Sequence, residues 1–158
     1  MENFMEDRVS LENIETKIKK KISSAKEYAL NEEQYREAVE KGFDLTDATV
    51  FVDTLTEARI AMEILGFDED SLVDTLSHEN AHGNKAQQLG AKHDGYKFVL
   101  IRGNNGGFRV QPQARVYIPD EWDKEKQNSV LLEIIKAPEE YGNSVSDHDK
   151  HDLEKLGQ

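Results

Sequence analysis

His78 and His82 stand four residues apart, with Glu79 beside the first of them, in the run His78-Glu79-Asn80-Ala81-His82. On a helix, positions i and i+4 lie on one face a turn apart, so the two imidazoles point the same way and can share one metal ion. A metal held in this way acidifies the water it binds, and a carboxylate next to the first ligand is placed to take that water's proton. Metal-assisted hydrolysis is the chemistry these residue types and this spacing point to.

The elements that must position those side chains are legible around them. The run from Ser71 to Leu89 predicts a helix over 71–89, with Asp70 or Ser71 as N-cap and Gly90 just past its end. At roughly 100° per residue, Leu72, Leu76, Gly83 and Ala86 form one apolar stripe, Glu79 falls on that same stripe, and Thr75, His78 and His82 line its edge. A carboxylate is therefore aimed at the interior, where it must be paired, protonated or bound to a cation. Gly83 costs about 1 kcal/mol of helix propensity against Ala, which a helix tolerates where another backbone or a substrate approaches closely. Two imidazoles do not complete a catalytic zinc site, which takes three protein ligands and leaves a fourth position for water. His93 is the nearest candidate: the helix rises about 10 Å from His82 to Leu89, and the stretch from Gly90 to His93, extended, spans that distance in return. Asp94 is a further option.

On Thr75-Leu76-Ser77-His78-Glu79-Asn80-Ala81-His82 the chain resembles the zincin (HExxH) superfamily of zinc metallopeptidases. The resemblance implies that His78 and His82 ligate zinc, that Glu79 is the catalytic general base, and that the substrate is a peptide or protein. By comparison with zincins whose third ligand is a helical Glu, Glu133 becomes the runner-up to His93. Its helix, however, shows its apolar face through Val130, Leu131, Ile134 and Ile135, and Glu133 projects away from it. The metzincin extension is missing, with Lys85 and Gln88 where Gly and His would stand, so no subfamily is implied.

Composition narrows the classes. A chain of 158 residues with 37% hydrophobic and 33% charged residues suits one folded domain rich in surface helices. No apolar run approaches the roughly 20 residues a bilayer needs, and the start carries no secretory signal, so a cytoplasmic protein with no membrane partner is expected. With no Cys, any metal must be held by His and carboxylate. A net charge of −12 argues against nucleic acid as a partner, since phosphate binding needs clustered Lys and Arg. The basic run Lys17 to Lys21 reads as a solvated helix face.

Along the chain, Leu11, Ile14, Ile18, Ile22 and Ala25 predict a first helix, and Tyr35, Ala38 and Val39 a second, between a cap at Asn31 and a stop at Gly42. Phe51, Leu55, Ala58, Met62 and Leu65 predict a third helix, ended by Gly66, although Thr49-Val50-Phe51-Val52 also reads as a strand. Strands over 96–101 and 108–118 flank Gly103-Asn104-Asn105-Gly106-Gly107 as a hairpin, whose second strand is an edge or is broken at Pro112. Pro119 and Asp120 start a last helix, Glu121 to about Lys136, which Pro138 stops. His148 and His151 fall in a polar tail and read as solvated.

The expectation is thus an α+β fold of about five helices and one β-hairpin or small antiparallel sheet, with the motif helix central. Residues 1–143 form one compact domain and 144–158 the tail. The expected function is a small zinc-dependent hydrolase, most readily a metallopeptidase. The alternative is a non-catalytic, acidic interaction domain with a structural, vestigial or absent metal site. The sequence leaves the oligomeric state open.

Overall fold

The computed structural model describes residues 4–140, with side chains over 11–139, so His148 and His151 lie outside the described residues. The fold is α+β: among the described residues there are five helices and a small mixed sheet of four strands. In chain order these are α1 (Phe4–Tyr28), β1 (Leu30–Asn31), α2 (Glu32–Lys41), a 3-10 turn (Thr46–Ala48), β2 (Thr49–Val52), α3 (Leu55–Ile64), α4 (Glu69–Gln88), β3 (Lys92–Arg102), β4 (Phe108–Tyr117) and α5 (Lys124–Glu140). Among the described residues no helix is long and apolar enough to cross a membrane.

β3 is the organising strand. Tyr96, Phe98, Val99, Leu100 and Ile101 are all buried, the near-continuous apolar run of a strand covered on both faces. It pairs antiparallel with β2, Thr49 opposite Val99 and Val52 opposite Tyr96, and parallel with the two residues of β1, Leu30 opposite Ile101. Among the described residues β4 pairs with β3 alone, so Pro112, which has no N–H to give a ladder, sits in an unbroken edge strand. The small sheet expected from sequence is present but mixed instead of purely antiparallel, because a two-residue parallel strand leaves almost no pattern to read.

Caps decide the helix ends. Thr49–Val52 is a strand and α3 starts only at Leu55, because Thr54 and Glu57 form a capping box in which each side chain accepts from the other's backbone N–H. α4 starts two residues before the expected Ser71, since Asp68 Oδ1 accepts the Ser71 N–H at 2.8 Å. α5 starts at Lys124, behind Asp123, whose Oδ1 accepts the Lys126 N–H at 2.7 Å; Glu121 and Trp122 belong to the preceding turn. Pro138 does not stop α5, which runs on to Glu140 with the proline inside it and fully buried.

The described residues pack as two compact units, 4–72 with 96–113, and 73–95 with 114–140. In the first, Ile18, Ile22 and Ala25 of α1, Val50 and Val52 of β2, Ala58, Ala61 and Met62 of α3, and the apolar residues of β3 are buried. Arg102 closes the end of α1 there, its guanidinium donating to the carbonyls of Ala29 (2.7 Å), Lys26 (3.1 Å) and Glu27 (3.2 Å) in and just past the last turn of the helix. In the second, Ala86, Ala91, Val130 and Ile134 form a core on which Val116, Ile118 and Trp122 pack.

Arg102→Ala should destabilise the protein by about 1–2 kcal/mol in denaturant unfolding, the loss of charge-assisted bonds to partly exposed carbonyls. Arg102→Lys should recover only part of it, since an ammonium lacks the planar fork.

Candidate metal centre

α4 turns the expected stripe inward. Leu72 is 0%, Leu76 7% and Ala86 0% exposed, and with them are buried Glu79 at 9% and His82 at 7%. His78, at the edge of the stripe, is partly buried. The helix ends in a Schellman motif: Gly90 takes φ +88°, its N–H bonds the Gln87 carbonyl at 3.2 Å, and the Ala91 N–H bonds the Ala86 carbonyl at 2.8 Å. That reversal seats Ala91 on Ala86 and sends the chain back along the helix toward His93.

The donor atoms of His78, Glu79 and His82 all lie within 4.8 Å of one another, a group able to hold a metal ion. His82 Nδ1 lies 2.7 Å from the carbonyl of Ile134 on α5. A carbonyl can only accept, so Nδ1 carries the proton and, in the neutral ring, Nε2 keeps its lone pair; this is the arrangement that fixes ligating histidines generally. His82 Nε2 faces His78 Nε2 at 3.2 Å, with the two rings edge to face, 4.9 Å between centroids and 80° between planes. Two nitrogens on one tetrahedral zinc, each at its usual bond length, stand about 3.3–3.4 Å apart, so the imidazoles already have the spacing a shared cation requires. Glu79 Oε2 accepts the backbone N–H of Ala114 in β4 at 2.8 Å, and its Oε1 lies 3.9 Å from His78 Nε2. The buried acid is thus anchored by one oxygen with the other turned toward the imidazoles. Nitrogen and carboxylate donors in a half-enclosed site fit a borderline divalent cation.

The group does not take in the other sequence candidates. His93 lays its ring over Gly83: a Cβ built there would meet His93 ring atoms at 2.3–2.6 Å. The close approach expected at Gly83 is therefore a side chain rather than a backbone or substrate. His93 Nε2 donates to the Gly95 carbonyl at 3.1 Å. Burial holds the His93 imidazole below the usual histidine range, against the opposing pull of the Gly95 carbonyl and the Asp94 charge. Asp94 is exposed and pairs with Lys92 at 3.6 Å and Arg115 at 3.7 Å. Glu133 is exposed on α5, as the apolar face of that helix implies. Two contributors escaped sequence reasoning, the Ala114 amide and the Ile134 carbonyl, because backbone groups have no residue signature. No family model matches the chain, and no curated protein or solved structure is significantly similar to it, so the functional reading rests on this geometry.

Gly83→Ala should force the His93 ring from its seat and cost about 1–3 kcal/mol despite alanine's better helix propensity. In the Gly83→Ala, His93→Ala double variant the clash is gone, and urea unfolding should show the alanine at 83 neutral or stabilising relative to His93→Ala alone. The depressed pKa of His93 has its own consequence for metal-free protein. The unfolded chain takes up the proton first, so stability should fall as pH drops from about 6.5 toward the lower folded value and level off below it. A His93→Gln variant should lack that component when melting temperatures are compared across this range.

Proposed function

We propose that the chain is a small zinc-dependent hydrolase acting on peptide bonds, with His78 and His82 as metal ligands and Glu79 as general base. The observation that carries the reading is the convergence of the two imidazole Nε2 atoms at 3.2 Å, with the His82 tautomer fixed through Nδ1. Zinc bound there supplies a Lewis acid that polarises a carbonyl and brings a water's pKa toward about 7.

The chain's own residues do the rest. The Ala114 amide holds Glu79 Oε2, so Oε1, on the His78 side, is the oxygen that receives the water's proton and later delivers it to the leaving amine. The Ile134 carbonyl keeps the His82 ring from rotating and keeps its proton on the far nitrogen. β4 favours an extended peptide over other carbonyl substrates: it is an edge strand whose Ala114 amide is spent on the base, which brings strand backbone beside the reacting groups. For a third ligand the chain offers His93, whose ring has to leave Gly83 and release the Gly95 carbonyl to serve.

The purified protein, dialysed against zinc and then against buffer, should retain about one zinc per chain by elemental analysis, and His78→Ala and His82→Ala should each abolish retention. Glu79→Gln should keep the metal and lower peptide hydrolysis about 10²-fold or more. A zinc-free protein after this treatment would defeat the metal reading. A zinc-loaded protein inactive on a broad peptide mixture would leave a structural metal site in an interaction domain.

A further inference from the structure

Pro138 lies four residues beyond Ile134 in α5. In an unbroken α-helix the Ile134 carbonyl would accept the backbone N–H of residue 138, and proline has none. The pyrrolidine ring also crowds the carbonyl four residues before it, which turns that carbonyl outward. The carbonyl left over at Ile134 is the one that accepts His82 Nδ1–H, at 2.7 Å. A buried carbonyl without a partner is costly, and so is a buried imidazole N–H; each answers the other. The proline ring is fully buried, although proline is otherwise a poor residue for a helix interior.

We infer that Pro138 is the positioning residue of the metal centre: by withholding an N–H from Ile134, it reserves that carbonyl for His82 and so sets the tautomer that leaves Nε2 for a cation. The inference rests on the metal-binding reading of His78 and His82 for its consequence, but its physical core, the assignment of one carbonyl to one imidazole, holds in the zinc-free protein. Any residue with a backbone N–H at 138 restores the ordinary helical bond and puts it in competition with the imidazole. His82 is then free to exchange tautomers and to rotate.

The test uses the full chain in three forms: wild type, Pro138→Ala, and Pro138→lactic acid, which has neither the ring nor an N–H. In zinc-free wild type, nitrogen-15 spectra of the histidines should show His82 protonated on Nδ1, with a coupling across the hydrogen bond to the Ile134 carbonyl carbon. In Pro138→Ala the His82 signals should shift toward a tautomer mixture, and zinc affinity, from competition with a chromophoric chelator, should fall about 10- to 100-fold. The melting temperature of that variant should not fall in step with the affinity, because the helix has gained a hydrogen bond. The lactic acid variant should keep the wild-type tautomer and affinity, which separates the missing donor from the lost ring. Wild-type zinc affinity and an unchanged His82 tautomer in Pro138→Ala would overturn the inference. So would a wild-type His82 with a bare Nδ1, a result that needs no variant to fold. If wild type fails to bind zinc, the metal reading falls while the tautomer measurements still decide the role of Pro138.

Discussion

The hydrogen bond from His82 Nδ1 to the Ile134 carbonyl is the constraint on which the centre depends. It joins α4 to α5 at a point where the surrounding core, Ala86, Ala91, Val130 and Ile134, is built from small and branched side chains that hold the two helices close. An imidazole placed on that face would otherwise have to bury an unsatisfied N–H, at a cost of roughly 1–3 kcal/mol. Once the carbonyl accepts the Nδ1–H, the geometry of the opposite nitrogen follows, and the spacing to His78 is that of two ligands on one ion. Glu79 is held in a similar way, its carboxylate accepting the Ala114 amide of β4.

The sequence motif and its surroundings are tied together by helix geometry at both ends. Asp68 begins α4 early enough that the motif lies well inside the helix, where the backbone bonds to itself and leaves the side chains to do chemistry. The left-handed Gly90 ends it and returns the chain so that His93 settles on Gly83. A glycine one position past the second histidine thus serves packing: the ring of His93 occupies the space that any larger residue would need. His93 comes near the motif in this way without joining the converging donors.

Much of the α+β fold was legible in the residues. Period-3.6 apolar spacing marked α1 and α2, and the capping box of Asn31 with Gln34 and the left-handed Gly42 fixed the bounds of α2. The run 96–101 read as a strand because, Lys97 apart, it is apolar and rich in β-formers, and its burial on both faces is the reason for that pattern. Other features were hidden. β1 is two residues long and owes its existence to β3. The helical run of Pro138 contradicts the ordinary meaning of proline, because the carbonyl it deprives of a partner has another waiting.

By itself the sequence determined which side chains share the inner face of α4, since residue spacing on a helix is fixed by backbone geometry and needs no tertiary information. That sufficed to bring His78, Glu79 and His82 together and to mark the acid as buried. Only tertiary structure decided which backbone groups meet them and which distant residues stay away. The Ile134 carbonyl, the Ala114 amide and the seat of His93 arise from contacts between elements far apart in the chain, and hydrogen-bonding groups of the main chain are the same in every residue but proline.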